Sequence, residues 1–454
     1  MQAQSARPGT AAAITDASIR AHMEFLTGDA LNGRASNSRD EWIAAAYVAA
    51  QFRKWGLEPM GDDGGYVQAA EILREQMSAP AVLSAGTARF THGKEMLTTA
   101  LTGARVSGPL VKLAAGATSV PAGAVVLMPV AAAQPAAAGR GRGGAPQATA
   151  GAALVISLAA QTPEQWATVA ARPVSAGSRF AKVAPAAAAA RTARVAVNQA
   201  AYDAIAALAE GTPVSLAADL SVTRAYTWNA VGRLTGRDPV AKEEVIVLGA
   251  HLDHLGMREA TQGDDKIFNG ADDDASGTAA VMALAEALAA GPRPKRTLVF
   301  ALFGSEEGGG AVSGSSYFVD LPVVPLPRIV AQVQFEMLAR PDPMVPARSL
   351  WLTGYERSNL GAELGKHGAR LVIDPRPDQS FFTRSDNIKF ARKGVVSHTV
   401  SSFNLHTDYH RVSDEIETVD FAHMLDAVRS MLEPVRWLAN ATFRPAWTAD
   451  GQPR

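Results

Sequence analysis

A chain of 454 residues, 47% of them apolar, can bury a large core and is long enough for two domains rather than one. Its 43 basic and 44 acidic residues leave a formal net charge of −1, which excludes a whole-protein field that would steer it to nucleic acid or an anionic membrane; small or neutral partners are expected. There is no cysteine, so disulfides and thiolate chemistry are excluded, and any metal must be held by His, Asp and Glu.

The opening MQAQSARPGT has no apolar h-region; its small, polar residues are what remains once a signal peptide is removed, so a periplasmic or secreted location is expected. From Ile19 to Leu57, apolar residues recur at helical spacing (Ile43, Ala46, Val48, Phe52, Trp55), which predicts one or two helices ending at Gly56. GLEPMGDDGGYVQ then reads as a turn and a strand. Between about 76 and 222 charge becomes sparse, and short β-like runs such as AVVLMPV and AALVISL alternate with Ala/Gly/Pro-rich connections. This predicts an inserted β-rich domain and a division into 1–75, 76–222 and 223–454. The uncharged stretch 119–138 is Ala-rich and broken by Pro121, Pro129 and Pro135, so no membrane span is expected there. GRGRGG, Gly139 to Gly144, formally matches a dinucleotide-binding fingerprint but does not join a strand to a helix, and a flexible loop is expected instead.

After about 225 the pattern changes to fully apolar, β-branched runs alternating with amphipathic stretches: EVIVLGA, GTAAVMALAEALAAG, RTLVFALFG, RIVAQVQFEML and GVVSHTV. Such runs predict an α/β fold in three layers, a mostly parallel or mixed central sheet with helices on both faces. The chain closes with a long helix that Pro434 should kink.

Each apolar run leads into a polar cluster. HLDHLG follows EVIVLGA, SEEGGG follows TLVFALFG, EML follows VAQVQF, and SSFNLHTDYHRVSD follows GVVSHTV. Ligands bind beyond the carboxyl ends of strands in such sheets. Asp272, Glu306, Glu307, Glu336, His251 and His410 would converge on that rim, where bare carboxylates repel and one or two dications resolve the conflict. A His/Asp/Glu donor set without Cys suits a catalytic zinc site with an open position. The run Asp272-Asp273-Asp274 also sits where a helix N-terminus favours acidic residues, so Asp274 or Ser276 can cap while Asp272 ligates.

GAHLDHLG, NGADDDASGTAAV, GSEEGG, FEML and DYHRVSDE, in this order, resemble the M28 zinc peptidases, strongly over about 225–425 and weakly over 15–75. The resemblance implies two zinc ions: His251 and Glu336 on one, Glu307 and His410 on the other, and Asp272 bridging both. It implies that Asp253 orients His251, that a cis peptide follows the bridging aspartate at Asp272–Asp273, and that Tyr409 helps stabilise the oxyanion. Glu306 would be the general base, taking a proton from water held between the two ions. Many relatives have Asp where this chain has Glu336; the longer side chain reaches a zinc but can change its mode of ligation. The insert resembles, in placement and strand pattern, the protease-associated domain of secreted members.

The activity so implied is aminopeptidase action on peptide substrates. Within the family, the alternatives are carboxypeptidase action on acidic C-terminal residues, for which Arg340, Arg376 and Arg384 are available, and glutaminyl cyclisation; a catalytically silent binding protein is the alternative of another class. His254 and His406 are read as structural or substrate-side residues, His398 as a satisfied core histidine, and His22, His92, His367 and His423 as structural. No G-x-S-x-G, H-E-x-x-H or G-x-x-x-x-G-K occurs, which excludes the common serine hydrolase, zincin and P-loop readings.

Overall fold

In the computed structural model, which describes residues 14–114, 116–130, 147–184, 192–258 and 263–454, the N-terminal helices begin where their caps place them. Thr15 accepts the Ser18 amide (3.1 Å) to start Asp16–Leu26. Ser38 accepts the amides of Asp40 and Glu41 to start Arg39–Lys54, which ends in Arg53 and Lys54 just before Gly56 turns at φ 72°. Caps and charges of this kind satisfy the free amides and the helix dipole.

The chain divides into two units, one of residues 1–71 and 226–454, the other of 72–225. It leaves the first within the strand Val67–Met77 and returns within Leu220–Leu234. GRGRGG lies outside the described residues.

The first unit is built on a mixed sheet. Its centre is four parallel strands in the spatial order Ser397–Ser401, Ile329–Phe335, Val245–His251, Thr297–Phe303, every residue of which is buried. Leu350–Leu352 pairs antiparallel with Ser397–Ser401 at one side, and Leu220–Leu234 antiparallel with Thr297–Phe303 at the other. Alternation along each strand divides the core. Ile246, Leu248 and Ala250 face the helices Asp16–Leu26, Arg39–Lys54, Gly277–Ala290 and Phe421–Leu438, while Val247, Val299 and Phe303 face Phe318 and Phe390 on the other side. Burial of each such large apolar side chain stabilises by about 1.5–3 kcal/mol. Pro434 lies inside Phe421–Leu438, which continues to Leu438.

The second unit has an eight-stranded sheet among its described residues and its own core, which includes Leu83, Leu110, Val125, Ile156, Val195 and Leu216. Among the described residues no helix is long and apolar enough to cross a membrane.

His398, in the strand Ser397–Ser401, is fully buried between the Thr353 carbonyl (2.7 Å) and the Ser358 hydroxyl (2.7 Å), a core histidine with both nitrogens satisfied. Burial lowers its pKa from 6.5 to about 4, and the Arg357 charge adds to this. Between those values the unfolded chain binds the extra proton, so the stabilisation is complete above pH 6.5 and is lost as pH falls toward 4, at up to about 1.4 kcal/mol per pH unit. His398→Gln is expected to reduce the pH dependence of the urea midpoint between pH 4.5 and 6.5; an unchanged slope would show that His398 is not held neutral.

Candidate metal centre

All four parallel strands end on one side, and in register. His251 lies opposite Phe303, and Phe335 opposite Val400, so the residues that follow the strands are neighbours. Ser305, Met337 and His410 take left-handed backbone angles (φ 52°, 53°, 57°), rare for residues with a side chain and held here by their surroundings. Ser305, directly before Glu306, receives a hydrogen bond from Asn37 Nδ2 (2.8 Å) and donates one to Glu41 (3.2 Å). Burial, then the charge of Asp253, raises the Glu41 carboxyl to about 8.

The three consecutive aspartates have three different tasks. Asp274 accepts the amides of Gly277 (3.0 Å), His251 (3.1 Å) and Met337 (3.1 Å), capping the helix Gly277–Ala290 and tying it to two strand ends. Asp272, expected to bridge the metals, instead turns away: one oxygen accepts the Ala339 amide (2.8 Å) and the other meets His406 Nε2 (2.9 Å). Asp273 takes the position expected of it, and the cis peptide is Asp273–Asp274, one residue later than the resemblance implied. The cause is local. Residues Asp273 and Asp274 leave helical geometry (φ −105°, ψ 93°; φ −131°, ψ 39°), so successive carboxylates point in different directions. Asp414 fixes the turn by accepting the amides of Asp272 and Asp273, both at 3.1 Å.

Two groups of donor atoms result, His251 with Asp273 and Glu336, and His254 with Asp273 and Glu307. Asp273 serves both. Its Oδ1 lies 3.2 Å from His251 Nε2, its Oδ2 3.1 Å from His410 Nε2 and 3.9 Å from His254 Nδ1. His410 also reaches Glu307 (2.9 Å), and His254 lies 3.2 Å from the same oxygen. His254, read from sequence as structural or substrate-side, thus belongs to the second group. His251 Nε2 and both nitrogens of His254 are buried and make no hydrogen bond, although carboxylate oxygens lie close by. Donors gathered around a point without being aimed at one another fit a cation, and the set of imidazoles and carboxylates suits zinc.

Electrostatics agree. Burial opposes ionisation of Asp273, yet the close imidazoles of His251 and His410 hold it well below the usual carboxylate range. Burial opposes a charge on His410 too, but Asp273 and Glu307 raise it to about 9, so a metal binding there displaces a proton. Burial first, then the charge of Asp273, brings Glu336 to about 7; Ser385 donates to its carboxylate.

Glu306 lines the recess beside both groups, with Glu307, Glu336 and Tyr409. Asp253 sets its backbone, accepting the amides of Glu306 (2.9 Å) and Glu307 (3.2 Å) and the hydroxyl of Ser36. The nearest Asp253 atom to His251 Nδ1 is the main-chain carbonyl (3.1 Å), with a carboxylate oxygen at 3.7 Å. Tyr409 stacks on His410 with ring centroids 3.9 Å apart, and burial raises its pKa, which keeps the phenol protonated. Sequence reading missed Ser36, Glu41 and Asp414, and also Arg34. The buried Arg34 guanidinium donates to the carbonyls of Leu26, Leu252 (2.9 Å), Asn269 (2.7 Å) and Gly270 (3.2 Å), joining the chain before the second unit to two site loops. Burial lowers it only to about 10, so it stays charged.

Parallel strands that deliver clustered imidazoles and carboxylates to one rim, with a further glutamate beside them, define a metal-dependent hydrolase centre. Residues 229–434 match the family model for peptidase family M28. That segment is similar to the metallopeptidases of family M28. Two solved structures share its fold: an aminopeptidase from Aneurinibacillus sp. strain AM-1 (18% identity, 94% of each chain covered, TM-score 0.52) and BSAP, a zinc aminopeptidase from Bacillus subtilis (15%, 97% of each chain, TM-score 0.51). No curated protein matches the chain in sequence.

Proposed function

We propose that this protein is a di-zinc aminopeptidase that removes single residues from unblocked peptide N-termini, outside the cytoplasm. The observation that carries the reading is the position of Asp273, one oxygen toward His251 and the other toward His410, which makes one carboxylate common to two donor groups. His251, Glu336 and Asp273 would hold one zinc; Glu307, His410 and Asp273, with His254 adjacent, the other. Bound zinc supplies Lewis-acid polarisation of the scissile carbonyl and makes water acidic.

The chain's own groups do the rest. Glu306 accepts the proton of the attacking water and returns it to the leaving amine, Asp253 holds its backbone in place, and the protonated Tyr409 hydroxyl donates toward the developing oxyanion. The carboxypeptidase alternative gains little support. Arg340 is paired with Asp408 (2.6 Å) and Asp414 (3.4 Å), and Arg376 with Asp342, so of the three arginines only Arg384 has no carboxylate partner among the described residues. The unit 72–225 is taken as a protease-associated-like insert on its placement between the two parts of the catalytic unit and its β-rich content.

The test is mass-spectrometric product analysis of free, N-acetylated and C-amidated versions of a mixed peptide panel, with and without a chelator and after zinc is restored. Stepwise N-terminal loss from free-amine peptides alone, abolished by the chelator and recovered with zinc, is expected. C-terminal shortening of acetylated peptides would overturn the reading.

A further inference from the structure

The recess beside the metal centre is lined by two unlike kinds of residue. Asp273, Glu306, Glu307 and Glu336 contribute carboxylates to it, and Met337, Trp351, Phe381 and Phe403 contribute apolar surface. Arg384 lines the same recess and is exposed. Its guanidinium carbon lies 5.0 Å from the centroid of Phe381, and Nη2 is 3.5 Å from the Tyr409 hydroxyl. No carboxylate pairs with it among the described residues, whereas Arg340 and Arg376 are both engaged by aspartates.

A cation with no carboxylate partner among the described residues, held over an aromatic face in a recess lined with apolar rings, is placed for an anion brought in from outside. Asp273, Glu307 and Glu336 are committed to the donor groups, where bound metal offsets their charge, and Glu306 to proton transfer. A guanidinium takes a carboxylate through two parallel hydrogen bonds, and the apolar rings of the lining reduce competition from water. Resting on the aminopeptidase reading, we propose that Arg384 determines specificity by binding a substrate carboxylate within one residue of the scissile bond. Two sources present that chemistry: the side chain of an acidic residue being removed, or the free α-carboxylate of a dipeptide.

The two sources separate with four substrates on the zinc-loaded enzyme. Leu-Ala against Leu-Ala-NH2 tests the α-carboxylate, and Glu-Ala-NH2 against Gln-Ala-NH2 tests the side chain. The wild type is expected to favour the carboxylate-bearing member of one pair by about 10- to 100-fold in kcat/KM, the effect of a charged hydrogen-bonded pair, expressed mainly in KM. That preference should vanish in Arg384→Gln and persist in part in Arg384→Lys, and the pair affected names the source. Turnover without preference in either pair, a preference that survives in Arg384→Gln, or an equal loss of kcat on all four substrates would overturn the proposal while leaving the aminopeptidase reading in place. Failure of the wild type to cleave any of the four would refute that reading and the assignment of Arg384 with it.

Discussion

Asp273→Asn is expected to strip metal from both donor groups and to lower kcat/KM by about 1,000-fold or more, because metal polarisation of a carbonyl is worth several kcal/mol and each 1.36 kcal/mol is a factor of ten. Asp272→Asn, one residue earlier, is the decisive comparison. Its side chain accepts the Ala339 amide and faces His406, contacts that an amide oxygen partly preserves, so metal content should stay near that of the wild type while stability falls by about 1–2 kcal/mol. Metal per chain measured after dialysis, together with the thermal midpoint, separates the two. Loss of metal from Asp272→Asn with retention in Asp273→Asn would return the bridging role to Asp272.

Glu306→Gln should cut kcat by about 10²–10⁴-fold with metal content unchanged, the range for removing a positioned proton acceptor. The isosteric amide fits, because the backbone there is held independently by Asp253 and by the Ser305 contacts with Asn37 and Glu41. Burial, opposed by the charge of His251 and reinforced by Glu336 and Glu307, holds the Glu306 carboxyl well above the usual range. A base works only when ionised, so wild-type kcat/KM should decline as pH falls through the pKa of Glu306, and the residual activity of Glu306→Gln should lack this limb. If the variant keeps both the rate and the limb, the base is another group.

The central sheet was legible because strands covered on both faces are buried along their length and favour apolar residues, as the runs ending at His251 and Phe303 do; the runs ending at Phe335 and Ser401 are equally buried but also carry polar residues such as Gln332, Gln334 and His398. The polar residues after them could be placed on one rim by the same logic. What could not be read was direction within a rim loop. Residues 271–276 follow neither a helical nor an extended period, so nothing in the spelling DDD says which aspartate faces the metals. The role of His254 was hidden for a like reason, since it depends on where one ring points. Ser36, Glu41 and Asp414 were missed because their contacts join segments far apart in the chain, as when Ser36 meets Asp253, and a single sequence carries no signal of that pairing.

The core of the catalytic unit is discontinuous in the chain, with Ile19, Met23 and Val48 packed against Leu284 and Met424, and with Arg34 closing on carbonyls near 252 and 270. During synthesis the helices Asp16–Leu26 and Arg39–Lys54 therefore leave the ribosome with their apolar faces uncovered while about 150 residues of the other unit are still to be made. At about 5–20 residues per second that interval lasts roughly 8–30 s. In that time the second unit, with its own core, can fold first, and the catalytic unit completes its core afterwards. Nascent chains stalled before residue 250 should thus bind holdase chaperones through these two helices, a demand that ends once the strand Val245–His251 and the helix Gly277–Ala290 emerge.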